Sequence, residues 1–470
     1  MKTKTLFTIL FIAVCGWTIN AQTRILGTCT GGGASGNGTI FTADADGSNL
    51  HAVYSFTNPT GRYPQGGMTL ANNGSYYGIT ELSGVKDSCV CFRFNPTTGA
   101  YTDIHDLYKN TNLGYAPQSQ MLNAADGKLY GLCTKGGANN AGVIYKIDPV
   151  TDAYTDVFDF STTDGIAPYG SLTQANDGNL YGCTFAGGKD GKGVLFSYNP
   201  FTKTYKKLVD FQTSTGANPY DGKLFQATDV KLYGTTDNGG SFSSGVIFSY
   251  NIATDVYADV FDFSSLSSGI YLSKCGVIEA TDGLLYGTLQ VYSPENSRYG
   301  SLYSFDINTN TYTDLHDFTG TDGQFPQRAL KQGASGKLYG TTFQGGVHSN
   351  GVAYSYDITS FTFTKLIDFD GGIAGGAPVC EINESGAATT GIADLRSGSS
   401  VKIYPNPAVD FITIVASDKE ETLLFADLLG KDLGALKINA NSKTNFDVSS
   451  FPNIFFVKSS DGVQRMMKSN

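Results

Sequence analysis

The chain has 470 residues, a formal net charge of −10 and only 16% charged residues, so it lacks the clustered cations that nucleic-acid binding needs. Its 58 glycines follow no three-residue period, which excludes collagen, and its 13% aromatic content can bury a core, which argues against disorder. Glycine, tyrosine and phenylalanine at these levels favour many short strands over helices.

The N-terminus has the order of a secretory signal peptide. Two lysines precede an apolar run from Leu6 to Val14, and Ala21 follows at a small-residue cleavage position, which predicts a signal peptide over residues 1–21. A lipoprotein signal at Cys15 is the alternative, although a valine precedes it where such signals need a small residue. Cleavage takes the charge from −10 to −12, because both lysines leave, and removes Trp17, the only tryptophan. No other stretch reaches the 18 or so apolar residues of a membrane-spanning helix.

A short unit of apolar residue, aromatic residue and glycine recurs seven times, at spacings of 51 to 53 residues. Each full unit reads as four short strands separated by turn signals, and connections this short make neighbouring strands antiparallel. Seven such units predict an all-β fold, a seven-bladed β-propeller of four-stranded blades over residues 22–386. The glycines of the unit are Gly27, Gly78, Gly131, Gly182, Gly234, Gly287 and Gly340.

The two ends of the repeat array complement each other. The first unit lacks a first strand, whereas the residues after Phe369 repeat a first strand with no second, third or fourth strand behind it. We therefore expect residues 378–385 to complete the first blade and close the ring. An open solenoid of β-sheets is the alternative, and it would leave two unpaired edges.

Three recurring features are expected to be structural. The glycine of the repeated unit sits in a strand, where a missing side chain allows close backbone approach near the ring axis. Glycine pairs in the following loop allow positive φ, at 31–32, 136–137, 187–188, 239–240 and 345–346. An aspartate late in each fourth strand is expected to accept hydrogen bonds from loop amides at the blade rim. These aspartates are Asp106, Asp159, Asp210, Asp262, Asp317 and Asp368.

One face of the ring collects candidate ligand-binding residues. The loops between second and third strands and the loops between blades share this face, because strands alternate in direction. Aromatic and basic side chains at the start of the innermost strands suit contact with a glycan or another ligand, and packing between blades is their alternative role. They are Arg62, Tyr63, Tyr115, Tyr169, Tyr220, Tyr271, Phe325 and Arg328, and the divergent loop of the sixth blade adds Arg298.

Motifs for chemistry are scarce. Seven cysteines remain after cleavage with no C-x-x-C pair, so zinc has no support, and a disulfide between Cys29 and Cys380 at the ring closure is one open pairing. His105 and His316 occupy the same place in two blades, which indicates a structural role. The segment from Asp44 to Gly47 resembles part of a calcium loop but lacks its later acidic ligand. We predict no metal, no cofactor and no catalytic constellation.

The C-terminal region differs in pattern. Residues 387–400 read as a linker, and residues 401–470 alternate strands and turns as a small β-sandwich does. The ordered segments 404–407, 427–431 and 447–453, followed by a basic end, resemble the C-terminal sorting domain of type IX secretion, a family of Bacteroidetes. The resemblance implies export through the type IX machinery to the cell surface or the medium.

The repeats themselves also resemble a known family. The spacing of LYGTT, the glycine pair and the GVIF-type strand is similar to the GloVer tandem repeat of secreted bacterial proteins, over residues 24–386. The layout is also similar to kelch repeats, with Tyr or Phe where kelch has Trp. The resemblance implies a propeller with the first strand of each unit innermost, and it brings no established activity.

Two functions remain open from the sequence. A non-enzymatic binding module for a glycan or protein at the cell surface is favoured, because the recurrent aspartates are explained by architecture. The alternative is a secreted propeller enzyme, a polysaccharide lyase or glycosidase, which would need positioned carboxylates, histidine or tyrosine in a cleft.

Overall fold

The structure is a computed structural model with two compact units, one that ends at Ser385 and one whose described residues lie between 401 and 467. In the first unit the described residues are 24–82, 89–108, 113–220, 223–263, 270–272, 275–292 and 299–385. In the second unit they are 401–404, 411–416, 421–427, 432–439, 442–447, 454–459 and 462–467. The predicted signal peptide, the predicted linker and Arg298 lie outside the described residues.

The first unit consists of seven antiparallel blades, and the predicted seven-bladed propeller is confirmed. In several blades the innermost strand is interrupted and forms two short pieces. Blade 1 contains β1 (Arg24–Gly31), β2 (Thr39–Asp44) and β3 (His51–Ser55), followed by a 3-10 helix at Asn58–Thr60. Blade 2 contains β4 (Met68–Leu70), β5 (Tyr76–Ile79), β6 (Cys89–Phe94) and β7 (Tyr101–Leu107). Blade 3 contains β8 (Gly114–Pro117), β9 (Leu122–Asn123), β10 (Leu129–Gly136), β11 (Val143–Asp148) and β12 (Ala153–Asp159).

The remaining blades repeat this layout. Blade 4 contains β13 (Thr173–Gln174), β14 (Leu180–Thr184), β15 (Val194–Asn199) and β16 (Thr204–Asp210). Blade 5 contains β17 (Phe225–Gln226), β18 (Leu232–Thr235), β19 (Val246–Asn251) and β20 (Val256–Asp262). Blade 6 contains β21 (Ile270–Leu272), β22 (Ile278–Glu279), β23 (Leu285–Tyr292), β24 (Ser301–Asp306) and β25 (Thr311–Asp317). Blade 7 contains β26 (Gln324–Pro326), β27 (Lys331–Gln332), β28 (Leu338–Gln344), β29 (Val352–Asp357) and β30 (Thr362–Asp368).

The ring closes as the complementary ends of the array predict. The strands β31 (Gly376–Pro378) and β32 (Asn383–Ser385) pair antiparallel with β1, so the end of the repeat array supplies the innermost strand of blade 1. Pro378 lies opposite Cys29 and Ser385 lies opposite Arg24 in this register. The buried Ile382 joins residues of blades 1 and 7 in one apolar cluster, which stabilises the closure by removing apolar surface from water.

The tyrosine of the repeated unit is fixed by the turn that precedes it. Its hydroxyl donates to the aspartate of the Asp-Gly turn four residues earlier, at 2.8 Å from Tyr130 to Asp126 and 2.7 Å from Tyr181 to Asp177. The turn and the second strand therefore form one hydrogen-bonded unit, which explains why the two motifs recur together.

The glycine that follows this tyrosine makes room for a ring, not for a neighbouring backbone. A Cβ atom on Gly182 would lie 2.7 Å from the Phe196 ring of the third strand, and Gly27 faces Phe41 in the same way. The expected close backbone approach is therefore wrong, because a buried aromatic side chain of the adjacent strand fills the space over the glycine.

The glycine pairs of the loops place backbone amides against the rim aspartates. Both glycines have positive φ in four of the predicted pairs, whereas blade 1 uses Gly32 and Gly33 in place of 31–32. The carboxylate of Asp210 accepts from the amide of Lys189 at 2.7 Å, and Asp262 and Asp368 accept from the equivalent amides after their glycine pairs. For these three aspartates the predicted bond to a loop amide is confirmed.

The C-terminal unit contains two antiparallel sheets. Its strands are β33 (Val401–Tyr404), β34 (Phe411–Ala416), β35 (Glu421–Asp427), β36 (Asp432–Ile438), β37 (Lys443–Asp447), β38 (Ile454–Ser459) and β39 (Gly462–Met467). One sheet has the order β33-β34-β37 and the other has the order β36-β35-β38-β39. Packing of the two sheets into a sandwich remains a prediction.

Candidate ligand-binding channel

The innermost strands of all seven blades surround a central channel with a volume of about 640 Å³. Its lining comes from the last residues of each innermost strand, before the turn into the second strand. The channel therefore extends toward the face that carries these turns. This is the face opposite the one on which the sequence placed the candidate ligand residues.

A charged pair crosses the channel at its inner end. Lys223 of blade 5 and Glu381 of blade 1 are almost opposite on the ring, and the Lys223 ammonium lies 3.2 Å from the nearer Glu381 carboxylate oxygen. Gln120 and Ser171 lie at the same level, and these four residues line both the large channel and a second cavity of about 10 Å³ beyond them. We call these four residues the waist. The waist separates the channel from a space that holds no more than one water molecule.

The mouth of the channel is fixed by side chains that bridge successive blades. Gln174, Gln226 and Gln332 each accept a hydrogen bond from a backbone amide in the turn of the preceding blade, at 2.7 to 3.0 Å. Glu279 occupies the equivalent position in blade 6 and accepts from the amide and the hydroxyl of Thr228. These bonds tie the turns of blades 3, 4, 5 and 6 to the innermost strand of the next blade, which fixes this part of the mouth.

The wall between waist and mouth has two kinds of surface. Blades 7, 1 and 2 contribute Lys331, Asn383 and Thr69, and the Lys331 ammonium donates to the Asn383 amide oxygen at 3.1 Å. Across the channel the half-buried Phe225 and the neighbouring Ile278 form an apolar surface on blades 5 and 6. The channel thus presents polar and apolar groups together: Phe225 is the aromatic residue of the lining, Leu70 and Leu330 add apolar groups on blades 2 and 7, and Gln226 adds a polar group on blade 5.

The sequence-predicted residues occupy three different structural positions. Tyr63 and Phe325 have φ of 56° and directly precede a proline, a position that Ala116 and Ala377 hold in other blades. Tyr115 lies one residue earlier, in β8, and packs against the core of blades 2 and 3. The predicted residues occupy different positions because they were matched by aromatic side chain. The feature that the blades share is instead a residue with left-handed backbone conformation directly before a proline.

Tyr169 and Tyr220 are brought together. Their rings stack with centroids 4.5 Å apart, and Phe185 meets both edge-on at 5.7 and 5.6 Å. Both tyrosines are half-buried, so much of each ring face is covered by protein. The cluster packs blade 4 against blade 5 and leaves only part of each ring for a ligand.

The predicted arginines also make contacts within the protein. Arg328 donates to the backbone carbonyls of Gln65 at 2.7 Å and Val379 at 3.3 Å, which links blade 7 to blades 1 and 2 beside the waist. The Arg62 guanidinium lies 5.6 Å from the centre of the Tyr63 ring. Tyr271 lies in β21, its side chain lies outside the described part of the chain, and Arg298 lies outside it entirely.

The seven described cysteines are all free thiols in the core. The disulfide between Cys29 and Cys380, which the sequence left undecided, is therefore not formed. The Thr28 amide lies 3.2 Å from the Cys380 sulfur. Burial raises the pKa of the Cys380 thiol to about 11, so the unreactive thiol form is favoured. Among the described residues no group of three metal-ligating side chains is found.

Both repeated histidines lie at the outer rim. His105 stacks on Tyr154 with centroids 4.9 Å apart, and His316 stacks on Phe363 at 3.8 Å. Burial lowers the pKa of His105, which favours the neutral ring. Asp44 and Asp46, which resemble part of a calcium loop, accept from the Ser48 and Asn49 side chains of their own hairpin turn.

Sequence reasoning missed the waist and the channel wall. Lys223, Glu381 and Phe225 lie in copies of the first strand, whose repetition indicates a structural role for most of its positions. The signal that could have identified the waist is sequence divergence between repeats, because the waist positions of these blades hold different side chain types. That signal could not show that Lys223 and Glu381, 158 residues apart, meet across the axis.

The fold and this channel define the class of protein: a seven-bladed propeller with a ligand-sized central cavity, followed by a separate β-strand module. The Gloeobacter/Verrucomicrobia repeat matches residues 16–228 and 211–401, and a secretion system C-terminal sorting domain matches residues 402–469. The chain therefore belongs to the Gloeobacter/Verrucomicrobia repeat family and carries a type IX sorting domain. The sorting domain implies interaction with the type IX machinery and export to the cell surface or outside. Within the described residues no helix is long and apolar enough to cross a membrane.

Solved structures support the fold. A periplasmic gluconolactonase of Pseudomonas aeruginosa is 14% identical, with a TM-score of 0.53 over 78% of this chain and 99% of that chain. A candidate 6-phosphogluconolactonase of Bacteroides uniformis is 12% identical, with a TM-score of 0.52 over 78% of this chain and 100% of that chain. None of the curated proteins matches this chain. At these identities the likeness concerns the fold alone.

Proposed function

We propose that the propeller is a non-enzymatic binding module, which type IX secretion displays on the cell surface or releases. The channel supports the proposal, because its volume of about 640 Å³ lies in the range of small-ligand sites and its wall combines an apolar surface with a few polar groups.

The observation that carries the proposal is the engagement of the channel's carboxylates. Glu381 is paired with Lys223, and Glu279 accepts two hydrogen bonds from Thr228. Lyases and glycosidases need a carboxylate, histidine or tyrosine that is placed to transfer a proton. The two glutamates that line the channel are thus engaged by groups of other blades, and His105 and His316 lie at the rim, away from the channel.

A secreted enzyme acting on a polysaccharide is the second candidate, and a sugar lactone is added as a substrate because both similar structures are described as lactonases. The decisive experiment applies the exported full-length protein to a glycan array, to polysaccharide depolymerisation assays and to a gluconolactone hydrolysis assay. Retention of a glycan without new reducing ends, unsaturated ends or acid release supports the binding module. Catalytic turnover in either assay would replace it with the enzyme.

The domain boundaries are proposed with it: signal peptide 1–21, propeller 22–386, linker 387–400 and sorting domain 401–470. Ending the chain after residue 400 should leave a folded propeller inside the outer membrane, because the sorting signal is gone. The full chain should reach the surface or the medium. Surface exposure is measured by the accessibility of the protein to protease on whole cells. If the truncated chain is exposed at the surface, the export signal lies elsewhere.

A further inference from the structure

We infer that the channel is a blind site for the end of a neutral carbohydrate chain, entered from the face that carries the Asp-Gly turns. The inference rests on the proposed binding function and names its site and ligand class. Three features of the channel lead to it: its blocked inner end, the combination of one aromatic ring with polar groups on its wall, and its balanced charge.

The blocked end decides which part of a ligand can enter. The Lys223–Glu381 pair spans nearly opposite blades, and the cavity beyond it has a volume of about 10 Å³. A sugar unit is far larger than the single water that such a space admits. A polysaccharide therefore cannot thread through the ring, and only a chain end or a short oligosaccharide fits between waist and mouth.

The combination of an aromatic ring and polar groups on the wall indicates the chemistry of the ligand. A pyranose ring carries hydroxyl groups around its edge and C–H groups on its faces. The C–H face suits packing on the half-buried Phe225 ring beside Ile278. The hydroxyls suit Lys331 and Asn383 on the other side, where Asn383 also donates to the Met68 carbonyl at 3.1 Å and is held in place.

The charge balance favours a neutral sugar over an acidic one. Lys223 and Lys331 contribute two positive charges, and Glu279 and Glu381 contribute two negative charges. Because the lining carries no net positive charge among these groups, an anionic sugar gains no general electrostatic attraction there. The binding energy must then come from stacking and hydrogen bonds, which salt screens weakly.

The test measures binding of neutral di- and trisaccharides of glucose, mannose, galactose and xylose to the full-length protein by calorimetry, at low and high salt. Phe225→Ala should weaken binding at least tenfold and Asn383→Leu at least fivefold, whereas Phe225→Trp should retain it because a flat ring remains. Phe158→Ala is the matched control: this half-buried ring stacks on Tyr205 at the rim and should leave binding unchanged. Short oligosaccharides should displace a long polymer of the same sugar completely.

Several results would overturn the inference. If Tyr169→Ala with Tyr220→Ala abolishes binding while Phe225→Ala does not, the site lies on the opposite face, and the proposed binding function still stands. Strong weakening by salt would identify an anionic ligand. Binding to internal segments of a polymer whose ends are chemically capped would exclude the blind channel. A protein captured through the channel face, with no sugar bound, would also reject it.

Discussion

The outer rim and the inner wall of the ring are built from the same seven repeats, yet side chains recur from blade to blade at the rim and differ between blades on the inner wall. At the rim an aromatic residue of one blade stacks on the next blade, as in Tyr54 on Tyr101 at 4.2 Å and Phe158 on Tyr205 at 4.1 Å. On the inner wall the waist holds four different side chain types in four blades. Repetition therefore marks packing that every blade needs, and divergence marks positions that this packing leaves unconstrained.

Removing the closing strand should cause the largest loss of stability, because it disrupts the packing at the rim and the lining of the channel together. Deleting residues 376–385 removes the fully buried Val379, Cys380 and Ile382 and leaves an unpaired edge on β1. Each buried side chain of this size contributes on the order of 2 kcal/mol, so the loss should exceed the stability margin of the ring. Circular dichroism should show no cooperative unfolding. A melting temperature within a few degrees of the parent would contradict the closure.

A methyl group at a repeated glycine should destabilise the packing and leave the wall chemistry intact. Gly182→Ala places Cβ 2.7 Å from Phe196 and 3.0 Å from Leu172, so the variant should lose about 1–3 kcal/mol by overpacking. Gly31→Ala is the matched control, since its nearest neighbour would be 3.5 Å away. Urea unfolding measures both. Adding Phe196→Leu should recover part of the loss, and a loss unaffected by it would mean that the ring is not the obstacle.

Breaking the pair at the waist tests the inner wall alone. Lys223→Met leaves the mostly buried Glu381 carboxylate without its partner and should cost about 1–3 kcal/mol. The double variant Lys223→Met with Glu381→Leu should regain much of this loss, because no unpaired charge remains. Thermal unfolding of the two single variants and the double variant gives the coupling. Additive losses would show that the two side chains do not meet across the axis.

The smallest effect is a pH dependence at the rim. Burial, reinforced by the nearby Asp262 carboxylate, raises the pKa of Asp259 to about 6. A raised folded-state pKa in an acid means that its stabilising contribution is complete below the unfolded value near 3.8 and is lost as pH rises through about 6. Asp259→Asn should therefore be more stable than the parent at pH 7.5 by less than about 1 kcal/mol, since solvent screens the pair.

Blade 4 supplies the matched comparison for this pH effect. Lys207 replaces the first aspartate there and forms an ion pair with Asp210 at 3.0 Å. Asp259→Lys should reproduce that pair with Asp262 and flatten the dependence of the melting temperature between pH 4 and 7. If the parent and both variants keep parallel pH profiles, Asp259 does not titrate in this range.

The number of blades, their strands and the closure of the ring follow from the amino-acid sequence alone. These features depend on local signals, the glycine spacing and turn residues such as Asp126, and on a chain-end count that needs no distances. Bonds between a rim aspartate and a nearby loop amide, such as Asp210 with Lys189, were also predictable, because the loop that enters the third strand lies beside the end of the antiparallel fourth strand.

The residues that meet at the ring axis could be identified only once the blades were placed in three dimensions. Lys223 and Glu381 meet because two blades face each other across a closed ring, and nothing in either local sequence encodes that opposition. The aromatic start of the innermost strands suggested one ligand face, yet Tyr169 and Tyr220 cover each other and Arg328 binds backbone carbonyls. Residue type indicates which contacts a side chain can make, whereas the packing of blades determines whether protein or a ligand occupies them.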